Sequence, residues 1–264
     1  MTAANDNADE KNGDAHPPAS GAPKGPITDT MRKPLPKRFY KSVTVKSGDD
    51  HHILLDDRPV KTPGKRALAL PTQVLAEAIA QEWSSQTETI NPATMPLTRF
   101  ANTAIDAVSD NCEAVAADIT AYAGSDLICY RAEAPEELVL LQAKQWDPVI
   151  AWAREALRAH LTVVPGIMPV EQADTALTQI AAALRPHDAF RLTGLHVMTT
   201  LTGSALLALA HARGYLSAEE AWTSAHVDED YQIALWGADA QAADRRASRR
   251  TEFLAASNFL HRLA

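Results

Sequence analysis

From Pro135 to the last residue the large apolar side chains return every three or four positions, and no other feature constrains the fold as strongly. Trp146, Val149, Ile150, Ala153 and Leu157 make one such stripe. At about 100° per residue that spacing lays a single apolar face along a helix. The pattern is interrupted by "VVPGIMPV", Pro186, Gly214 and Gly237. Four further helices are therefore expected: "EQADTALTQIAAALRP", "RLTGLHVMTTLTGSALLALAHARG", "SAEEAWTSAHVDEDYQIALWG" and "DAQAADRRASRRTEFLAASNFLHRLA". Their short joins favour a compact bundle of antiparallel or crossed helices. Asp147-Pro148 is expected to mark an N-cap with proline behind it, or a kink.

The front of the chain has a different grammar. "RFYKSVTVKS" alternates Phe39, Lys41, Val43 and Val45 with their neighbours, as a half-buried strand does. "HHILLDDRPVKTPGKRALALP" continues in short apolar runs broken by Asp56-Asp57, Pro59 and Pro63-Gly64, the punctuation of a small antiparallel sheet. Pro71-Thr72 opens a helix carrying Val74, Leu75, Ala78, Ile79 and Trp83, and one helix on a sheet makes a two-layer domain. "NPATMPLTRFANTAIDAVSDN" and "EAVAADITAYAGSD" add two helical segments, and the domain seam is placed at "DLICYRA". The expected class is α+β in two domains: a small sheet-plus-helix domain over 38–130 and a helical bundle over 131–264. Residues 1–37 hold almost nothing large and apolar, cannot offset the entropy of ordering, and are expected as a disordered arm.

Composition narrows the function classes. With 46% apolar and 22% charged residues, the 264-residue chain has the balance of a soluble globular protein. Its net charge of −8 argues against a general nucleic-acid binder, which would need a basic surface. Cys112 and Cys129 lack the number for a disulfide framework and the spaced partners of a zinc site, so free thiols in a reducing compartment are expected. No run approaches the roughly 20 apolar residues that span a bilayer, so no membrane insertion is expected. The arm has no apolar secretion signal, and its early acids do not suit a mitochondrial presequence. A bacterial cytoplasm is expected, or the mitochondrial matrix for a eukaryotic source.

Enzyme signatures are thin. "TPGKRA" is not a phosphate loop, because Pro59 stands where the first glycine belongs and no Ser or Thr follows Lys65. Dinucleotide, serine-hydrolase and His-Glu-x-x-His patterns are missing too, and no cofactor is expected. His51-His52 would point to opposite faces of a strand and reads as a solvated strand end rather than a ligand pair. "LTGSALLALAHARG" is apolar nearly all round and belongs at a bundle centre, with His211 a cap or a satisfied core histidine.

The stretch "HVDEDYQIALWGAD" is richer. Wound as a helix, it puts Val227, Tyr231, Ala234 and Leu235 in the arc that meets the bundle. Asp228, Glu229, Gln232, Ile233 and Trp236 fall on the far side. His226 and Asp230, one turn apart, could share a metal, but two ligands make no site. Acid/base catalysis would need a carboxylate lifted by burial, which an exposed helix does not provide. Tryptophan among charges on a non-core face has the composition of an interface anchor with a polar rim; the other reading is that Trp236 folds onto the helix after Gly237. In "ADRRASRR", Arg245 with Arg249 and Arg246 with Arg250 are each one helical step apart. They form either a solvated, salt-bridged face or a dock for an acidic partner.

A resemblance covers the chain from about Arg38 to its end. "RFYKSVTV", "LDDRPVKTP", "LALPTQVLAEAIAQEW", "MPLTRFANTAID", "SDLICYRAEAPEELVLLQAKQWDPVIAW", "GIMPV", "TGSALLALA" and "AEEAW...DEDYQIALWGAD" follow one another in this order. They resemble the family of assembly chaperones for the α subunit of the F-type ATP synthase catalytic head. The resemblance implies an N-terminal α+β domain, a C-terminal orthogonal helical bundle, and binding of newly made α subunit until the β subunit replaces the chaperone. The family's acidic, Gln-containing segment lands on Asp228, Glu229, Asp230, Gln232, Trp236, Gly237 and Asp239. Ala234 stands where many relatives carry Glu, and Asp57 where Gly is common.

The expected function is an ATP-independent, monomeric holder of unassembled α subunit. Its expected partner-binding residues are Asp228, Glu229, Asp230, Gln232, Ile233, Trp236, Asp239, Arg245 and Arg249. The rival reading is a small metal-dependent hydrolase built on the acidic segment 226–230.

Overall fold

The computed structural model of the protein describes residues 34–264, so most of the arm expected over 1–37 lies outside the described residues. Pro36–Ala264 form one compact unit. Its first layer is a small antiparallel sheet. β1 (Val43–Lys46) pairs with β2 (His51–Leu55) in the register Val43↔Leu55 to Lys46↔His52. β3 (Arg58–Pro59) and β4 (Ala69–Leu70) also pair with β2. Asp56 and Asp57 form the two-residue turn into β3 with φ of 46° and 64°, the double left-handed conformation of a tight hairpin. Asp56 stabilises that turn by accepting from the backbone N–H of Lys41 at 3.0 Å and of Ser42 at 2.9 Å.

α1 (Gln73–Ser84) covers this sheet. Thr72 caps it by accepting from Leu75 N, and Leu75, Ala76 and Ile79 are buried in one core with Ile53, Leu55, Leu68 and Leu70. α2 (Pro96–Thr103) has no cap from its own flank. Glu82 of α1 supplies it, accepting from Leu97 N and Thr98 N at 2.8 Å each, so one helix satisfies the orphan donors of the next. The "TPGKRA" loop has its own anion: Gly64 N donates to Asp106 at 2.7 Å and Thr62 Oγ1 to the same carboxylate at 2.6 Å.

The helical part is α3 (Cys112–Gly124), α4 (Glu136–Ala156), α5 (Asp174–Leu184), α6 (Ala189–Thr202), α7 (Ala205–Ala212), α8 (Ala218–Ala225), α9 (Val227–Trp236) and α10 (Ala240–His261). Between α3 and α4, β5 (Tyr130–Arg131) pairs in parallel with β6 (Val164–Pro165). An α+β fold with a small sheet ahead of a helical region is therefore what the chain adopts.

Two expectations are corrected and one is narrowed. Of the two readings of Asp147-Pro148, the helix start is excluded, since α4 runs through it with Pro148 in its interior: Trp146 and Val149 on either side are buried, and Asp147 pairs with Arg131 at 2.8 Å. The apolar segment expected as one helix is two, α6 and α7. Gly203 ends the first in a left-handed conformation (φ 69°), and Ser204 caps the second by accepting from Leu207 N at 3.0 Å. The segment holding "HVDEDYQIALWG" is likewise divided at His226 into α8 and α9.

α7 is the centre anticipated from its composition, with Ala205–Ala210 all buried. Burying each leucine contributes about 1.5–3 kcal/mol. Its amino end also takes a carboxylate from outside: Asp126, fully buried, accepts from Leu206 N at 3.1 Å and Ile128 N at 3.3 Å. Burial pushes the Asp126 carboxyl up to about 6 despite those bonds. α10 packs on α6, α2, α7 and α8, with Phe259 between Phe190 and Phe100 at ring separations of 6.2 and 5.6 Å. His211 is satisfied on both sides, by Leu216 O at 3.0 Å and Ser257 Oγ at 2.9 Å. Cys112 and Cys129 are free; Cys129 is buried, which raises its thiol to about 12. No helix among the described residues is long and apolar enough to cross a membrane.

Candidate functional site

α9 owes its position to the helix before it. A capping box of Ser217 and Glu220 starts α8. Trp146 Nε1 of α4 donates to Ser224 O at 2.7 Å and pins the other end. At the break, the buried His226 ring stacks on Trp222 with centroids 3.8 Å apart, and its Nδ1 lies 2.8 Å from Trp222 O. Burial pushes the His226 ring below its usual range, so it stays neutral near pH 7. Glu229 Oε2, 4.0 Å from His226 Nε2, therefore faces an uncharged ring.

The three acids that follow sit in the first turn of α9, where the helix dipole favours them. Their partners lie on two helices. Asp228 accepts from Gln142 Nε2 of α4 at 2.6 Å, and Gln142 in turn accepts from Ala132 N at 2.7 Å. Asp230 pairs with Arg246 of α10, whose Nε is 3.8 Å from Glu229. His226 is thus spent on the core, Asp228 is held by α4, and Glu229 and Asp230 are both drawn to the Arg246 guanidinium of α10, so the acids do not converge with the ring on one point. Among the described residues no group of three or more His, Cys, Asp or Glu is placed to hold a metal.

Beyond the first turn, burial departs from the arc read off the sequence. Val227 is buried and Tyr231 half-buried, but Ala234 and Leu235 are exposed; Leu235 retains 54% of its accessible surface. The helix leaves the core beyond Tyr231, where its packing on α4 ends in exposed residues. Trp236, at 81% exposure, does not fold onto α10. It stands at one side of a groove between α9 and α10 with a volume of about 500 Å³. Ile233 and Trp236 form one wall, Ala242, Ala243 and Ala247 the floor, and Glu229, Gln232, Asp239, Arg246 and Arg250 the rim. Gly237 (φ 82°) turns the chain between the two helices, and Asp239 caps α10 by accepting from Ala242 N at 2.8 Å.

Six of the nine expected partner-binding residues line the groove or pair across it: Glu229, Asp230, Gln232, Ile233, Trp236 and Asp239. Asp228 lies on the opposite flank of α9 with Gln142. The arginine pair is the other one: Arg246 and Arg250 line the groove, whereas Arg249 Nη2 donates to Leu201 O at 2.6 Å and Arg245 is exposed elsewhere on α10. Arg250 pairs with Glu219 at 2.6 Å. Sequence reading missed the alanine floor, although Ala243 and Ala247 share the four-residue step of Arg246 and Arg250. It also missed Gln142, because a glutamine inside an apolar stripe carries no signal of its distant partner.

An exposed tryptophan beside a small, charge-rimmed apolar groove has the composition of a protein contact surface. The family described as ATP12 chaperone protein matches residues 37–154. Among solved structures, Atu1473 from Agrobacterium tumefaciens, described as a candidate chaperone, is 46% identical. That likeness spans 89% of this chain and 88% of the other, with a TM-score of 0.84. Atp12 from Paracoccus denitrificans is 44% identical over 87% of this chain and 99% of that one, at a TM-score of 0.83. An Asp-to-Lys variant of the Paracoccus protein is similar at 43% identity, 87% and 98% coverage, and 0.83. Family match and fold together define a chaperone. The chain belongs to the ATP12 chaperone family, and with it to the chaperones of ATP synthase assembly.

Proposed function

We propose that this chaperone holds the unassembled α subunit of the ATP synthase catalytic head and covers the surface that α presents to β, until β displaces it. An unpaired subunit exposes an apolar surface that belongs in an oligomer, and such surfaces aggregate. A holder has to cover that surface and still let go. A few anchors in a polar rim suit this better than a large dry interface, because affinity is then modest and release is fast. The observation that carries the reading is Trp236, 81% exposed at the mouth of a groove whose rim is charged on both sides.

The groove accommodates one or two side chains of a client rather than a whole helix, so α9 and α10 would contribute an anchor point within a wider contact. Exchange by competition needs no nucleotide hydrolysis in the chaperone, and a single chain presents the whole groove. The metal-hydrolase reading gains nothing from the geometry, since His226 is turned into the core, Asp228 faces Gln142, and Glu229 and Asp230 are spent on Arg246.

The test is capture of isolated α subunit by the full chain, followed by addition of β. Trp236→Ala combined with Glu229→Lys is expected to weaken capture by about 2 kcal/mol or more, roughly thirtyfold. Circular dichroism and melting should stay near wild type, since both side chains lie outside the core. Unchanged capture would remove this groove from the client surface.

A further inference from the structure

On the far side of α9 lies a second pocket, of about 850 Å³, which the groove does not include. One of its walls is the tip of the loop between α4 and α5, where Ile167 is 91% and Met168 77% exposed. Two adjacent large apolar residues so open to water are uncommon unless something covers them. The loop that carries them is clamped at its neck. Thr162 N donates to Gln172 Oε1 at 2.7 Å, and the buried Gln172 returns a bond from Nε2 to Thr162 O at 2.9 Å. Gly166 N donates to Arg131 O at 2.8 Å beside the β5–β6 pair, with Gly166 at φ 80°. Ile167 and Met168 are thus presented on a braced turn, which lowers the ordering cost of a contact made there.

Negative charge is in excess at this pocket. Arg131 is partly occupied: it pairs with Asp147 at 2.8 Å, donates to Ile128 O at 3.0 Å and lies 5.2 Å from the Trp146 ring centre, while its buried Nη2 meets no partner among the described residues. The other charged groups of the lining are the carboxylates of Glu133 and Asp228. Asp228 is fixed in place by Gln142 through one oxygen, and its second oxygen meets no hydrogen-bond donor among the described residues. Asp228 and Glu229 are neighbours on α9, so the pocket and the groove meet across one helix.

We propose that α9 is the middle of the client surface and not its border. The pocket under Ile167 and Met168 takes a second anchor from the same α subunit, a segment with an apolar side chain next to a lysine or arginine. The apolar group packs on the Ile167–Met168 tip and the cation meets Glu133 and Asp228. This rests on the reading of the chain as a holder of α subunit, and it extends that reading from one groove to two sites flanking α9.

The experiment uses the full chain, isolated α subunit and a photo-crosslinking side chain placed at position 168 or, separately, at position 236. Capture is measured alongside for Ile167→Ser/Met168→Ser and for Glu133→Lys, with Phe39→Ser, ahead of β1, as the control for loss of an exposed apolar group elsewhere. The tip variant is expected to weaken capture about tenfold or more. Glu133→Lys should weaken it by a smaller, salt-sensitive factor, and the control should leave it unchanged. The crosslink from position 168 should map to a client peptide with a basic residue beside an apolar one. Crosslinking and loss of capture at 236 but not at 168 would overturn the second anchor and leave the proposed function standing. Failure at both would end both, and crosslinking from 168 only to another copy of this chain would replace the client with self-association.

Discussion

Asp126 provides a quantitative check on how the bundle centre is built. It is fully buried, caps the amino end of α7 from a different part of the chain, and has its carboxyl raised from 3.8 to about 6 by burial. At about 1.4 kcal/mol per pH unit, that rise corresponds to about 3 kcal/mol between the two protonation states. The sign follows from proton linkage. Between pH 4 and 6 the folded protein binds the Asp126 proton more tightly than the unfolded chain does, so this contribution is fully present below pH 3.8 and is lost as pH rises through 6. Asp126→Asn keeps the shape and removes the titration. Urea unfolding of both proteins from pH 4 to pH 7.5 should show the wild type losing about 3 kcal/mol relative to the variant, mostly between pH 4 and 6.5. Taking the difference cancels the other titrating groups. Parallel curves would show that Asp126 is not desolvated at the α7 cap.

Other positions isolate single terms. Gly203→Ala meets only Leu127 Cβ at 3.9 Å, so its expected loss of about 1–2 kcal/mol in denaturant unfolding measures the left-handed backbone alone. Gly194→Ala would place a methyl 2.6 Å from the Leu260 side chain where α6 crosses α10, and should cost about 1–3 kcal/mol by overpacking, read as a lowered melting temperature. Asp57→Gly relieves a φ of 64° in the β2–β3 turn and should raise stability by up to about 1 kcal/mol in urea titration. Arg246→Ala removes the tie from α10 to Asp230 and Glu229; as a partly exposed pair it should change stability by about 1 kcal/mol or less while weakening α-subunit capture.

The groove was only half legible in advance. The α9 acids, Ile233 and Trp236 stand out in the sequence, but a tryptophan among carboxylates left two readings open, an interface anchor or a side chain folded onto the next helix, and only the 81% exposure of Trp236 separates them. Which arginines join them did not, since Arg245/Arg249 and Arg246/Arg250 have the same spacing and only the rotation of α10 on α6 and α8 selects one pair. Ile167 and Met168, within "GIMPV", read simply as an interruption. They sit on a loop closed by the Gln172 clamp, a contact across ten residues with no periodic signature.

The breaks inside the two longest expected helices show the same division. Thr202-Gly203-Ser204 holds a stop and a start in sequence, yet apolar residues on both sides hid it, and the choice of two helices is sealed by Asp126 reaching the new amino end from far along the chain. At His226 no such local sign exists; stacking on Trp222 and the bond from Trp146 to Ser224 decide it. What the amino acids determine alone is periodic or local: helix where the apolar step is 3.6, hairpin where Asp-Asp follows alternation, a buried centre where "ALLALA" offers no polar face. Tertiary structure decided where helices break, which flank of α10 meets α9, and which exposed groups stand beside one another. Those outcomes depend on burying particular surfaces against one another, and the burial exists only once distant segments have met.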